Sequence, residues 1–489
     1  MRDASGPATI ELMRISWIVT ASAYAILITT QLNAQQKSDE KPLTALPYTP
    51  SLDARFVDKT ADPCTDFYRY ACGNWNKLNP IPPDQARWNV YTKLADENQR
   101  FLWGILEQAA RANASRSPNE QKIGDFFHSC MDEAAIEQAG IQPLQPMLEK
   151  IAKLKSINDL GAYIGEQHKN GVDRGVLFGF ESSQDFDNSS QVIAFAEAGG
   201  LGLPDRDCYT KTDPKSQEIR QRYSQHVQRM LELIGESATD AQTDAQSVMA
   251  IETALAKASL TRVEKRNPYN LKHKISRDDL LHMVPAFNWD AYLDVIPAPQ
   301  FEQLNVEEPK FFDELNNELR NQALPAWKAY LRWHLVHSEA PYLSSKFVEE
   351  SFDYYSRYLQ GVQQMPPRWK TCTRLVDQDL GEALGQNFVA KTFSPQTKQD
   401  ALKMTQEIEA EMGRDIKDLT WMSEPTKQRA LEKLHAVVNK IGYPDKWRDY
   451  SSVQITPDDF LGNVSRASAF EERRQLAKIG KPVVAASGA

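Results

Sequence analysis

The histidines whose spacing comes nearest to a metal site are His334 and His337, in the string His334-Leu-Val-His337. Three residues apart on a helix, two imidazoles share a face, and such a pair can offer nitrogen ligands to a cation. Zinc-dependent hydrolysis of a peptide asks for more. It needs two histidines four apart, a glutamate between them as general base, and a third ligand. The remaining histidines are His128, His168, His226, His273, His282 and His435, and no two of the eight lie four apart. Tyr330, Trp333 and Tyr342 surround the pair with aromatic bulk, so ordinary helix packing is the competing reading. The run Glu407-Ile-Glu-Ala-Glu411 reads as a solvated helix face. No G-x-S-x-G elbow, Walker loop or dinucleotide fingerprint occurs. Chemistry on this chain alone has no visible seat.

The elements that would position these residues are mostly helices. Ser394 is an N-cap with Pro395 at the first helical position, and Met404, Ile408, Met412, Ile416 and Leu419 then mark one apolar stripe, expected to be core. A second helix is expected from Pro425, with Leu431, Leu434, Val438 and Ile441 facing inward, until Gly442 and Pro444 end it. Similar periodicity runs from Val248 to Val263. Strand-like runs are short: Gly175-Val-Leu-Phe-Gly-Phe180 and Gln191-Val-Ile-Ala-Phe195. The expected fold class is mainly α with a small β element. The segment 65–71 reads as helical, with Phe67, Tyr70 and Ala71 at packing intervals. A helix there would separate Cys64 from Cys72 by about 12 Å along its axis, beyond the roughly 7 Å that a disulfide spans.

The chain has 489 residues, 41% of them apolar and 25% charged, which is an ordinary globular balance. Its 57 basic and 66 acidic residues leave a net charge of −9, which favours solubility and argues against nucleic acid or anionic membrane as a partner. Residues 1–34 read as a signal peptide: an apolar segment from Ile15 to Ile28 precedes Leu32-Asn-Ala34. An uncleaved signal anchor, which would tie the chain to a membrane, is the alternative. Asp3 and Glu11 cancel Arg2 and Arg14, so a start at Met13 would give a more compact export signal. The polar, Pro-rich stretch 35–60 is expected to be a flexible arm. Export places the chain in a periplasmic or extracellular setting, where its five cysteines can oxidise.

Four strings carry a resemblance: Asp62-Pro-Cys-Thr-Asp-Phe-Tyr-Arg-Tyr-Ala-Cys-Gly-Asn-Trp75, Gly200-Leu-Gly-Leu-Pro-Asp-Arg-Asp207, Arg368-Trp-Lys-Thr-Cys372 and Ile441-Gly-Tyr-Pro-Asp-Lys-Trp447. In this order they resemble the amino-terminal lid region of the neprilysin-like, or endothelin-converting-enzyme-like, zinc metallopeptidases. The resemblance implies a large helical lid domain over 61–480, an atypical truncated tail at 481–489, and no thermolysin-like catalytic domain. It implies a disulfide between Cys130 and Cys372. Cys64 and Cys72 match cysteines whose partners lie in the catalytic region, so here they are expected to be unpaired. Cys208 stands where the family commonly has an aromatic and is expected to act as a small buried hydrophobe.

The resemblance also implies a substrate contact. In Ile81-Pro-Pro-Asp-Gln-Ala-Arg-Trp88, Arg87 takes the position of the family's arginine for the free carboxyl terminus of an oligopeptide. Thr92 stands where the family has a supporting aspartate, and the family's N-A-Y/F-Y motif is absent. Zinc is the family's cofactor, but with no H-E-x-x-H string this chain alone is expected to bind none. The function implied is the substrate-enclosing part of a zinc metalloendopeptidase, inactive alone and served by a separately encoded catalytic half or by further sequence. The alternative is a secreted, non-catalytic peptide-binding or scaffold module. A lid without its catalytic half is expected to expose apolar surface and to self-associate.

Overall fold

Capping side chains and apolar periodicity set most helices of the computed structural model, which describes residues 40–48, 53–111 and 115–484. The signal segment, the alternative start at Met13 and residues 485–489 of the tail lie outside the described residues. The chain divides into two units, 1–42 and 43–489, and the second holds the helices and the sheet. The polar arm expected over 35–60 is anchored from residue 43 where it is described. Leu43 and Leu46 pack against a core, the Leu43 amide donates to Arg100 O at 3.1 Å, and the Asp58 amide donates to Tyr70 O at 2.7 Å.

Among the described residues the fold is mainly helical, with one small sheet. Val90–Ala110 opens on a capping box between Asn89 and Thr92, and Pro118–Met131 on one between Ser117 and Glu120, so orphan amides at both starts are satisfied. These helices join Arg368–Thr392 and Phe460–Leu476 around a core containing Phe101, Phe126, Trp369 and Leu384. Inside it a disulfide bonds Cys130 to Cys372, and Trp103 stacks on Trp369 with ring centroids 4.4 Å apart. A second core gathers aromatic rings around Phe178, among them Phe287, Trp289 and Tyr292. A third lies between Pro214–Leu233, Ala238–Ala258 and Leu324–Glu339, where Tyr223, Val227, Trp333 and Val336 are buried.

The sheet has the order β1-β2-β4-β3. β1 (Phe178–Gln184) and β2 (Val192–Ala198) are antiparallel, in register from Phe178 opposite Ala198 to Gln184 opposite Val192. β4 (Gln303–Val306) runs parallel to β2, and β3 (Lys274–Ser276) antiparallel to β4. Both expected strands therefore form, shifted toward the carboxyl terminus. The shift at β1 comes from residues 175–177, which turn instead of extending: the Val176 amide donates to Asp173 O, and Leu177 has φ +68. β3 and β4 are too short for an alternating pattern to announce them.

Three sequence expectations need correction. The helix read from Val248 to Val263 is Ala238–Ala258, capped at Ser259, and Val263 is exposed. Pro395–Asp418 starts as expected, with Ser394 Oγ accepting from the Thr397 amide, but Met404, Ile408 and Met412 are exposed, at 59%, 59% and 49%. Only Ile416 of that stripe is buried. The helix packs chiefly on its successor Glu424–His435, and a two-helix layer cannot enclose a whole apolar face. That successor also ends early. Beyond His435 the chain leaves helical geometry, Asn439 Nδ2 donates to Glu409 Oε1 at 3.0 Å, and Val438 is exposed. Ile408→Ala should accordingly change stability by less than about 0.5 kcal/mol, measured by denaturant unfolding. A loss of about 2 kcal/mol or more would mean that the position is core.

Candidate functional site

Arg87 lies on the 81–88 loop, between the 3-10 and helical turns that end at Leu78 and the start of Val90–Ala110. It is exposed, and no hydrogen bond or ion pair among the described residues engages it. A guanidinium left in this way offers a bidentate fork to a carboxylate at any physiological pH. Its loop, by contrast, is held firmly. The Gln85 amide closes a turn on Pro82 O at 3.0 Å, and Pro83 O accepts from the Gln363 amide at 3.1 Å and the Gln364 amide at 2.9 Å. Lys370 Nζ reaches Asp84 Oδ2 and Asp96 Oδ1, both at 2.8 Å. Burial works against the Lys370 charge, but the bonds to Asp84 and Asp96 outweigh it and raise its pKa. Thr92 is committed elsewhere: its hydroxyl accepts from the Asn89 amide at 2.7 Å, completing the helix cap.

Beside this loop lies a cavity of about 580 Å³ with walls from Val90–Ala110 and Arg368–Thr392, lined by Gln85, Thr92, Asn98, Thr373 and Arg374 among others. The quoted string Arg368 to Cys372 is the other side of the same construction. Arg368 Nε donates to Cys130 O at 2.9 Å, Trp369 makes the aromatic stack, Lys370 grips the loop, and Cys372 makes the disulfide. Lys370, Asp84 and Asp96 were not singled out by sequence reasoning. The signal available was a lysine inside a resemblance-bearing string, with no indication of what it met.

Around Cys64 and Cys72 the observed helix is Phe67–Cys72, starting two residues later than expected because Asp66 caps it through the Arg69 amide. Cys64 therefore precedes the helix, in a turn where its amide donates to Asp62 Oδ1. Both thiols are exposed and unbonded. Cys208 is partly buried against the third core, and burial raises its thiol pKa.

The Gly200 to Asp207 string forms the wall of a larger cavity, about 870 Å³, which His334 and His337 also line. Close approach explains its glycines. Gly200 has φ +71, and a Cβ on Gly202 would come within 1.9 Å of the Tyr223 hydroxyl. His334 Nε2 lies 3.0 Å from Glu252 Oε1, and His334 Nδ1 lies 3.2 Å from Asp173 Oδ2. Burial opposes a charge on this ring, but the bonds and charges of Asp173 and Glu252 outweigh it and raise His334 to about 9. A ring protonated on both nitrogens has no lone pair for a metal. His337 goes the other way: burial, then the charge of His334, push it down to about 3. Its ring stacks on Trp333. Among the described residues no group of three or more His, Cys, Asp or Glu side chains is placed to hold a metal ion. The donor set among the described residues does not fit zinc.

Comparison with known proteins adds the frame. Residues 63–444 match the family described as Peptidase family M13. The chain is 30% identical to endothelin-converting enzyme 1 of Mus musculus over 441 residues, which cover 85% of this chain and 56% of that protein. It is 27% identical to an endothelin-converting enzyme homolog of Locusta migratoria, covering 87% of this chain and 62% of that protein. Among solved structures it is similar to the Mycobacterium tuberculosis zinc metalloprotease ZMP1 in complex with an inhibitor, at 30% identity and a TM-score of 0.83, covering 89% of this chain and 66% of that one. The chain thus spans somewhat over half the length of the curated relatives it matches.

Proposed function

The chain belongs to peptidase family M13, and from that premise we propose that residues 61–480 are the amino-terminal, substrate-enclosing part of a neprilysin-like zinc metalloendopeptidase acting on oligopeptides. Arg87 receives the free carboxylate of the peptide. The observation that carries this reading is an exposed guanidinium without an ion-pair partner among the described residues, on a loop whose backbone is fastened to the protein. Zinc is the cofactor of the family; its ligands and the general base come from residues other than these, in a separately encoded half or in further sequence. Cys64 and Cys72, exposed and unbonded, await partners there. The protein is exported, a reading that its disulfide supports. No described helix is long and apolar enough to cross a membrane. The net charge of −9 favours neither nucleic acid nor anionic lipid.

The test is calorimetric titration with one oligopeptide in free-acid and carboxyl-amidated forms. Arg87→Ala should weaken binding of the free acid by about 1.5 to 3 kcal/mol, the range for hydrogen bonds to a charged group, and leave the amidated form nearly unchanged. Equal losses for both forms would remove the carboxylate role.

A further inference from the structure

We propose that Lys370 is the positioning residue for Arg87: its buried ammonium fixes the loop that presents the guanidinium. This rests on the carboxylate-binding reading of Arg87. The 81–88 loop makes one main-chain turn of its own, from the Gln85 amide to Pro82 O. Its other anchors come from a remote stretch of chain, the amides of Gln363 and Gln364 on Pro83 O and the Lys370 ammonium on Asp84. Asp84 is three residues from Arg87, so at most about 10 Å of chain separates the gripped residue from the functional one. Little slack remains between them. Thr92, one turn into the next helix, has its hydroxyl bound in the cap and offers Arg87 no support.

Lys370 is itself held against a rigid body. Its carbonyl accepts from Gln99 Nε2 at 2.8 Å, its neighbour Trp369 stacks on Trp103, and two residues on, Cys372 is bonded to Cys130. The side chains of Lys370 and Asp84 are only 7% and 8% exposed, and that of Asp96 18%. Buried ion pairs are a poor source of net stability, and well-packed apolar residues often serve as well. What an ammonium between two carboxylates supplies is a fixed place for each of them. Asp96 ties that place to the helix Val90–Ala110, which begins just after Arg87. Both ends of the short segment carrying Arg87 are thereby referred to one nitrogen atom.

The experiment compares Lys370→Met, Lys370→Arg and Asp84→Asn in the full chain, titrated with one oligopeptide as free acid and as carboxyl amide, with hydrogen exchange followed at the amides of residues 84–88. Lys370→Met should weaken free-acid binding about tenfold, the loss of one charge-assisted contact. It should leave the amide form unchanged, add nothing in the Arg87→Ala background, and speed exchange in the loop. Lys370→Arg, which keeps the charge, should recover most of the loss. If Lys370→Met does not fold, Asp84→Asn carries the same comparison, because it retains the Lys370 to Asp96 pair. Wild-type free-acid binding by these variants, with Arg87→Ala still defective, would overturn the role of Lys370 and leave that of Arg87 standing. Should Arg87→Ala itself treat both peptide forms alike, the carboxylate reading falls and the positioning role falls with it.

Discussion

Replacing Cys130 and Cys372 together by alanine should lower stability by about 5 kcal/mol. The bond closes a loop with a sequence separation of 242 residues, and on the chain-entropy account its loss restores that much freedom to the unfolded chain. The bond also joins Pro118–Met131 to Arg368–Thr392 inside their shared core, so its effect falls on the body against which Lys370 is held. Denaturant midpoints of the double variant and of the oxidised wild type, compared without reductant, check this. Coincident midpoints would show that the bond contributes nothing to the fold.

Glu252→Gln should cost about 3 to 5 kcal/mol, as breaking a buried ion pair does. The Glu252 carboxylate is fully buried and accepts from the Tyr209 hydroxyl, the Tyr223 hydroxyl, Trp333 Nε1 and His334 Nε2. A carboxamide of the same shape removes the negative charge beside His334 and turns an NH2 group toward donors. The same cluster sets a pH dependence. His334 is raised from 6.5 to about 9, so its contribution is fully present below pH 6.5 and is lost as pH rises through 9. Burial, joined by the charge of Glu181 in one case and of Asp173 in the other, raises Glu197 and Glu339 to about 8. Their contributions are lost as pH rises from 4.5 through 8, so they add to the decline only up to about pH 8. His168, lowered to about 4 by burial, acts oppositely, and its contribution disappears as pH falls from 6.5 to 4. Unfolding midpoints should accordingly fall between pH 6.5 and 9, by an amount equivalent to about 3 kcal/mol from His334 alone. The fall should be shallower in Glu252→Gln. A flat profile over that range would mean that His334 is not charged in the fold.

Local chemistry was legible in the sequence where a cap wrote it. Ser394 and Pro395 begin their helix as expected, because an N-cap acts through amides within three residues. The fate of the stripe that follows was not legible. Periodicity names the apolar face of a helix, but only the neighbouring elements decide whether that face is covered, and Met404, Ile408 and Met412 stay exposed. The site divides in the same way. Arg87 could be proposed from its string, whereas Lys370 meets Asp84 across 286 residues and His334 meets Asp173 across 161. Such pairings arise from tertiary packing alone. His334 also shows what spacing leaves out: the pair reads as ordinary helix packing, and the fold adds remote carboxylates, Asp173 and Glu252, that raise the pKa of one of its rings.

The most direct test of the central claim, a peptide-enclosing chain whose residues do not themselves supply the zinc site, is one incubation. The purified chain, shown by mass spectrometry to be free of other polypeptides, is loaded with excess zinc, desalted, assayed for bound metal and mixed with a free-acid oligopeptide. Substoichiometric zinc and an intact peptide are expected. Zinc retained at one ion per chain, together with hydrolysis that a chelator abolishes, would contradict the claim.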